Sequence, residues 1–271
     1  MGKWWRVFGT GLCFALYGAL SWIAGFTLLP LLLAWPGTAA ARECRVRRLV
    51  SASFRCLLAV AAALRLGHVE IEGREWLARA DGKLVVATHP MYLDVVALVA
   101  LLPQADCVIK QAMWRNPLYR RFVRSLGYIG NASSAGLMED CAESLRRGRT
   151  LILFPEGTRS TPGTPLRFRR GAAQVAVRSQ CDILPVMIRC EPAALGKRSA
   201  WYQVPGRRWR LSIKVLPPQP LSAFGYREDM PHGVAARRVT RAMENFFTQH
   251  LATHEYTDRR IEAAHHRLAR S

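Results

Sequence analysis

The sequence predicts an α/β fold in which a mainly parallel central sheet is flanked by helices and preceded by an N-terminal membrane-embedded helical segment. Continuous apolar runs at 84–87 and 150–154 have the length and composition of strands that are buried on both faces. Helical patterns separate such runs at the spacing of βαβ units, which favours a parallel sheet. No charged residue occurs from Val7 to Ala41, and this predicts the membrane segment.

The length of 271 residues allows one substantial core plus an anchor, or at most two small domains. Changes in composition predict four parts: a membrane anchor at 1–41, a basic juxtamembrane or interfacial helix at 42–67, an α/β domain at 68–252 and a basic C-terminal tail at 253–271. Because the tail lacks an apolar pattern, we expect it to be mobile.

The formal net charge of +20 predicts an anionic partner, and nucleic acid, an anionic membrane surface or an acidic donor molecule would each qualify. Half of the residues are hydrophobic, which excludes a disordered basic tail protein. The basic residues lack the interleaved aromatics of a single-strand binder, so we expect no nucleic acid partner. Seven cysteines without a CxxC pair indicate neither a zinc site nor a disulfide framework.

The N-terminal apolar segment is long enough to cross or deeply enter a bilayer, because Gly11 to Leu33 exceeds the roughly 20 residues that a span needs. Tryptophans at its ends and middle are typical interface anchors. A cleaved signal peptide is the alternative, since Lys3 and Arg6 precede the segment and Ala39-Ala40-Ala41 resembles a cleavage site. The apolar stretch is longer than a signal core usually is, which favours the anchor.

Arginines follow the anchor directly, at positions 42, 45, 47 and 48. Such a cluster resists translocation, so the next domain is expected on the cytoplasmic side, in a bacterium at the inner membrane. Residues 49–66 then alternate apolar runs with Arg55 and Arg65, as in an interfacial helix or an ordinary packed helix. The two segments together predict either a span or a helical hairpin that enters one leaflet.

The remaining pattern predicts the elements of the α/β domain in order. Strands are expected at 69–73, 84–89, 106–110, 150–154, 183–188 and 211–215, and helices from Pro90 onward and at 116–126, 136–147, 172–179 and 231–254. Residues 190–208 show little periodicity and are expected to form a surface excursion.

The stretch from Thr88 to Asp94 follows one buried strand and opens a helix at Pro90, a residue that suits a first helical turn. This arrangement leaves His89 at the mouth of the sheet. Asp94 lies one turn into the helix and can reach back to the ring nitrogen that faces away from a substrate. The pattern therefore predicts a general base with an orienting carboxylate.

A second polar turn, Pro155 to Ser160, follows the strand at 150–154. In open α/β sheets, binding sites gather at the carboxyl ends of strands, so we expect both turns to share one edge.

These two turns, with His89, Asp94 and the run from Phe154 to Ser160, resemble the glycerolipid acyltransferase family, specifically the 1-acylglycerol-3-phosphate acyltransferases. The resemblance covers residues 69–218. It includes Ile183-Leu184-Pro185-Val186, which is similar to a block that lines the acyl-binding region in that family.

The resemblance implies an acyltransferase catalytic domain at 68–252 that moves a fatty acyl group from acyl-CoA or acyl-carrier protein to 1-acyl-sn-glycerol 3-phosphate and forms phosphatidic acid. His89 would take the proton of the acceptor hydroxyl, with Asp94 fixing its tautomer. Arg159 would hold the acceptor phosphate. The remaining substrate-binding residues that it implies are Glu156, which would orient the glycerol, Gly157, Thr158 and, more weakly, Lys110. No metal or other cofactor is expected, and no GxSxG elbow for a covalent acyl-enzyme occurs.

One departure from the family pattern leaves an alternative for the identity of the acceptor lysolipid. Ser133 stands where an arginine that helps to hold the phosphate is expected. Another lysolipid, such as a lyso-ornithine lipid, is therefore the closest alternative acceptor. A catalytically inactive basic membrane-binding protein is the alternative from a different class.

Overall fold

A computed structural model of the chain describes residues 2–110, 123–131, 134–160, 164–196 and 200–268. Side chains are described at these positions except 110, 131, 134, 135 and 253–268.

A seven-stranded sheet forms the centre of the α/β domain. Its strands are β1 Gly67–Glu72, β2 Leu84–Ala87, β3 Asp106–Lys110, β4 Ile129–Asn131, β5 Leu151–Leu153, β6 Ile183–Glu191 and β7 Trp209–Val215. Their order across the sheet is β1-β7-β6-β2-β5-β3-β4. Every neighbouring pair is parallel except β6 and β7, which are antiparallel. The predicted mainly parallel sheet is confirmed, and β4, which is only three residues long, is the strand that the pattern missed.

Helices cover both faces of the sheet. They are α1 Lys3–Ile23, α2 Leu29–Ala34, α3 Ala39–Ala63, α4 Leu93–Leu101, α5 Ser134–Arg146, α6 Gly171–Ser179 and α7 His232–Leu268. In β2, Val85 and Ala87 belong to the core beneath α3 and α4, whereas Leu84 and Val86 belong to the core beneath α5, α6 and α7. All four side chains of β2 are buried, as a strand covered on both faces requires.

Several element boundaries differ from expectation, and those of α4, β2 and α7 differ in ways that matter for the site and the C-terminal tail. Helix α4 begins at Leu93 rather than Pro90, and β2 ends at Ala87 rather than His89, so a longer turn carries the histidine. Helix α7 continues to Leu268 without a break near residue 252. Most of the helix expected at 116–126 lies outside the described residues.

The N-terminal apolar segment is one long helix interrupted by a π-helical turn. The turn at Ala24–Leu28 joins α1 to α2, and the backbone N–H of Leu29 donates to the carbonyl of Ala24. Pro30 follows it and has no N–H, which explains why the regular ladder is broken there. Residues 3–34 are the one helix among the described residues that is long and apolar enough to cross a membrane.

Helix α3 folds back along this long helix. The indole Nε1 of Trp5, near the start of α1, donates to the carbonyl of Leu64, just after the end of α3, at 3.0 Å. Arg45 donates to the carbonyls of Leu32 and Trp35 and so caps the end of α2. The expected helical hairpin is therefore present. Helix α3 also packs against α4, so it is part of the α/β core rather than a separate interfacial helix.

Both ends of the long helix contact the α/β domain. Near its start, the guanidinium of Arg6 donates to the carbonyl of Gly206. Near its end, Leu29 belongs to a buried cluster with Val99 of α4 and Tyr128. The helix thus lies along the domain. Large apolar side chains on its outer face remain exposed, among them Trp4, Phe8, Leu20, Trp22, Phe26 and Leu31.

Arg47, one of the arginines that follow the anchor, stabilises the fold. Its side chain is fully buried and donates to the carboxylate of Asp106 and to the backbone carbonyls of Leu126 and Gln104. Asp106 also accepts from the hydroxyl of Ser144. Arg47 therefore joins the helical hairpin to the sheet, and it is a buried member of the arginine cluster that follows the anchor.

We expect Arg47→Met to lower the free energy of unfolding by about 3 kcal/mol, because Asp106 would stay buried without its main cation. Thermal unfolding in detergent measures the change. Arg146→Met is the matched control, since Arg146 lies in an exposed ion pair with Glu139 and its loss should cost less than about 1 kcal/mol. Equal effects of the two substitutions would contradict the prediction.

Candidate active site

The two polar turns lie side by side at one edge of the sheet. Strands β2 and β5 are parallel neighbours, with Val86 opposite Leu153, so the turns that follow them leave the sheet at the same edge. The backbone N–H of Ser160 in the second turn donates to the carbonyl of His89 in the first at 2.8 Å. The structure therefore brings together the two stretches that the sequence singled out.

His89 and Asp94 form a hydrogen-bonded pair. The ring Nδ1 of His89 lies 3.1 Å from Oδ2 of Asp94, and the backbone N–H of Met91 donates to the same oxygen at 2.8 Å. An ionised carboxylate accepts both bonds, which places the proton of the ring on Nδ1 and leaves Nε2 as the acceptor nitrogen. The imidazole is 18% exposed and its carboxylate partner is fully buried, so solvent reaches the base but not the group that orients it.

The electrostatic environment of Asp94 opposes its ionisation. Burial raises the pKa of the Asp94 carboxyl to about 6, although the hydrogen bonds from His89 and Met91 act in the opposite direction. Its second oxygen, Oδ1, is buried without a hydrogen-bond partner among the described residues. A carboxylate in this position gains stability when the neighbouring imidazole becomes cationic, because the opposite charge compensates for the lost water.

Glu156 holds the two turns together. Its Oε1 accepts the backbone N–H of His89 at 2.9 Å, and its Oε2 accepts the hydroxyl of Ser160 at 2.5 Å. The residue is buried, and both carboxylate oxygens are engaged by the protein itself. The geometry thus shows a carboxylate that positions the backbone of the candidate base, and its contact with the acceptor glycerol stays a prediction.

The next two residues of the second turn differ in exposure and conformation from Glu156. Gly157 has a φ of +67°, and a Cβ there would lie 2.9 Å from Cδ of Arg169, so the turn needs glycine for its backbone conformation and for space. Thr158 is exposed at the tip of the turn.

The ring of Phe154 packs against the imidazole of His89 with centroids 4.5 Å apart, which limits the orientations open to the imidazole.

Arg159 lies at the same edge and is held in place by a third segment. Its Nη1 donates to the carbonyls of Leu195 and Gly196, both at 3.1 Å, and its guanidinium lies 5.9 Å from the ring centroid of Tyr92. Among the described residues these contacts leave Nε and Nη2 as donors for an anion. The arginine is therefore fixed beside His89 with part of its donor set available.

Two residues in the sequence-based interpretation are only partly described. Lys110 ends β3, where it pairs with Asn131 of β4, and its side chain lies outside the described part of the chain. Ser133, at the position of the expected arginine, also lies outside the described residues.

An apolar groove lies at the edge of the sheet that carries the candidate base, where Leu66 and Trp209 contribute to its lining. It is lined on one side by Leu93, the neighbour of Asp94, and by Leu195, and on the other by Cys13 and Phe14 of α1 and Leu58 of α3. Ile183 to Val186, which the resemblance placed in an acyl-binding region, are buried in β6. Leu184 and Val186 belong to the same core cluster as Cys13 and Leu93 of the groove, whereas Ile183 belongs to the core on the other face of the sheet.

Sequence reasoning missed the residues that hold the site residues in place. Tyr92 and Ser160 lie within the two recognised turns, so their positions were visible but their contacts were not. Leu195 and Gly196 fall in the stretch that lacked periodicity, and no pattern connects them with Arg159.

Comparison with known proteins finds one family model and several relatives that are similar to this chain. Residues 68–189 match the family model described as Acyltransferase. The chain is 27% identical over 171 residues to mouse 1-acyl-sn-glycerol-3-phosphate acyltransferase alpha, an alignment that covers 60% of this chain and 59% of the mouse protein. It is 32% identical over 113 residues to the 1-acyl-sn-glycerol-3-phosphate acyltransferase of Helicobacter pylori, which covers 39% of this chain and 48% of that protein.

A solved structure shows the same fold. The 1-acyl-sn-glycerophosphate acyltransferase PlsC from Thermotoga maritima superposes with a TM-score of 0.63 at 20% identity, covering 89% of this chain and 97% of that one. The alignments with the mouse and Helicobacter proteins span only about half the length of those relatives. Residues 68–189, which carry both polar turns, are therefore similar to the acyltransferase family.

Proposed function

We propose that this protein is a membrane-associated O-acyltransferase that moves a fatty acyl group from acyl-CoA or acyl-carrier protein to the free hydroxyl of 1-acyl-sn-glycerol 3-phosphate, giving phosphatidic acid. The observation that carries the proposal is the hydrogen-bonded pair of His89 and Asp94 at the edge where Arg159 presents its remaining donors. The match to the family model and the names of the relatives support the reaction class and the acceptor.

The pair suits direct transfer from a thioester to an alcohol. Nε2 of His89 takes the proton of the acceptor hydroxyl as its oxygen forms a bond to the thioester carbonyl carbon. The resulting imidazolium is stabilised by the ionised carboxylate of Asp94 at 3.1 Å. When the carbon–sulfur bond breaks, the departing thiolate accepts that proton, and the free thiol leaves. No covalent acyl-enzyme forms in this sequence of steps.

The groove beside Leu93 is suited to an apolar chain. It extends from the edge that carries His89 and Asp94 toward α1, and most of its lining side chains are apolar. A fatty acyl group in the groove would lie beside the apolar N-terminal helix, against Cys13 and Phe14.

The membrane position follows from the long helix. Because both of its ends contact the α/β domain, we propose that residues 3–34 lie in one leaflet instead of crossing the bilayer. The arginines at 42, 45 and 48 favour the cytoplasmic face, in a bacterium that of the inner membrane. This arrangement places the candidate base at the surface from which a lysolipid is presented.

An acceptor panel with wild type and Arg159→Lys tests the choice of acceptor. We expect wild type to acylate 1-acylglycerol 3-phosphate and the variant to lose roughly 10- to 100-fold in kcat/KM, mainly through KM, because charged hydrogen bonds to the phosphate are lost. Transfer to lyso-ornithine lipid, which has no phosphate, should be weak and insensitive to the exchange.

Arg170→Lys is the matched control, since Arg170 is an exposed arginine that directly precedes α6. Equal turnover of the phosphate-free acceptor by wild type would overturn the assignment of the acceptor and favour the lyso-ornithine alternative. Thermal unfolding of Arg159→Lys in detergent checks that the contacts to the carbonyls of Leu195 and Gly196 are not the cause of the loss.

A further inference from the structure

The connection between β6 and β7 ends in a short segment with two neighbouring exposed aromatic side chains. This segment, residues 200–208, is called the aromatic loop here. Trp201 is 51% exposed and Tyr202 is 55% exposed, and their rings pack edge to face with centroids 5.7 Å apart. Trp and Tyr side chains with one apolar and one polar end are enriched at membrane–water interfaces.

The strand directions place the aromatic loop at the same edge of the sheet as the candidate base. Strand β6 runs parallel to β2, so its last residue, Glu191, leaves the sheet at that edge. Strand β7 is antiparallel to β6 and begins at Trp209, which pairs with Gly67 at the start of β1. The loop that joins β6 to β7 therefore projects from the edge that carries His89.

The aromatic loop is continuous with the apolar N-terminal helix. A Cβ at Gly11 of α1 would lie 3.1 Å from the ring of Trp201, so the absence of a side chain there allows the indole to approach the helix. Five residues earlier in α1, Arg6 donates to the carbonyl of Gly206. The exposed aromatics thus extend the apolar surface that α1 already presents through Trp4 and Phe8.

Positive charge borders these aromatics. Arg207 and Arg208 are exposed at the end of the aromatic loop, and Arg65 is exposed at the end of α3 beside the start of α1. Apolar side chains flanked by arginines match the boundary between acyl chains and anionic headgroups.

We propose that the aromatic loop is a second membrane contact of this protein. Trp201 and Tyr202 enter the headgroup–acyl boundary of the bilayer that holds α1, and Arg207 and Arg208 contact anionic lipid headgroups. The contact holds the His89 edge of the sheet against the membrane surface. It depends on the membrane position of the long helix and is independent of the identity of the transferred group.

Bromolipid quenching of tryptophan fluorescence tests the contact directly. The full chain is reconstituted into phosphatidylcholine–phosphatidylglycerol vesicles whose lipids are brominated either near the carboxyl end of the acyl chain or near its methyl end. Subtracting the emission of Trp201→Phe from that of wild type isolates Trp201, and we expect stronger quenching by the shallow bromine. Trp76→Phe is the control, because Trp76 follows the end of β1 at the opposite edge of the sheet and its emission should not respond.

The alternative occupant of this surface is a second copy of the chain. In that case Trp201 emission would not depend on bromine, and Trp201→Ser would lower the mass of the detergent-solubilised particle. Insensitivity of Trp201 to both bromolipids, or equal quenching of Trp201 and Trp76, would overturn the proposal. These readouts do not require enzymatic activity, so they remain valid if the proposed acyl transfer is wrong.

Activity in vesicles gives a second readout. The double variant Trp201→Ser/Tyr202→Ser should turn over a vesicle-embedded acceptor severalfold more slowly and a short-chain monomeric acceptor at the wild-type rate. Arg207→Gln/Arg208→Gln should weaken binding to anionic vesicles about fivefold per arginine removed. Val234→Ser, which removes another exposed apolar side chain on α7, is the control and should change neither rate. Equal losses of the aromatic double variant on both acceptors would overturn the membrane role.

Discussion

Replacing His89 with alanine is expected to lower kcat for acyl transfer by at least about a hundredfold, because general base catalysis typically contributes 10²–10⁴. The substitution removes the group that takes the hydroxyl proton. It leaves the backbone N–H that donates to Glu156 and the carbonyl that accepts from Ser160. KM for the acceptor should therefore change little. The measurement is single-turnover transfer from labelled acyl-CoA by the detergent-solubilised protein.

His68→Ala is the matched control, because His68 lies in β1 and forms an exposed pair with Glu70. We expect that variant to retain wild-type activity. If His89→Ala were as active as wild type, the general-base mechanism would be wrong. A wild-type protein without activity on any lysolipid would instead favour the inactive membrane-binding alternative.

Replacing Asp94 with asparagine is expected to lower kcat by on the order of 10²–10⁴ at neutral pH, as loss of an orienting carboxylate does in other histidine-based sites. The amide oxygen can still accept from His89 and Met91, so the geometry is retained while the negative charge is lost. The amide NH₂ group would then occupy the position of Oδ1, which has no partner among the described residues. The substitution therefore separates the effect of charge from that of shape.

The activity of wild type is expected to depend on pH through the protonation of Asp94. The pKa of Asp94 is raised to about 6 by burial, so the carboxyl becomes protonated as the pH falls below 6 and loses the charge that stabilises the imidazolium. Activity should rise with pH through this range and lose its dependence on this group above it. Asp94→Asn should lack that step, and an unchanged acid limb in the variant would show that another group produces it.

The raised pKa of Asp94 is expected to lower the stability of the folded protein as the pH rises, in the range where the activity increases. Because the pKa of Asp94 in the folded protein lies above the ordinary aspartate value of 3.8, the folded protein binds the proton more tightly than the unfolded chain does. The stabilising contribution is present below about pH 4 and is lost as the pH rises through about 6. Thermal unfolding of wild type relative to Asp94→Asn should show this loss over the same interval in which activity appears.

A mainly parallel sheet and the two turns of the site could be predicted from the amino-acid sequence. Buried strands leave continuous apolar runs, and a strand–turn–helix unit has a local pattern that does not depend on distant partners. The pairing of His89 with Asp94 belongs to this class, since five residues across one turn fix their separation. The missed strand β4 has the sequence Ile-Gly-Asn and so lacks a continuous apolar run, whereas the equally short β5 is Leu-Ile-Leu and was predicted.

The side chains that hold the site in place, and the position of the long helix against the α/β domain, could be seen only in the folded structure. Glu156 reaches back 67 residues to the backbone of His89, and Arg159 reaches forward to Leu195 and Gly196, through contacts that depend on strand order and loop packing. Arginine is usually a surface residue, but Arg47 is buried. The fold brings the carboxylate of Asp106 and two backbone carbonyls into hydrogen-bonding contact with its guanidinium. Hydropathy measures how apolar a segment is but contains no information about what the segment contacts. The contacts that both ends of the 3–34 helix make with the α/β domain could therefore not be predicted from the sequence.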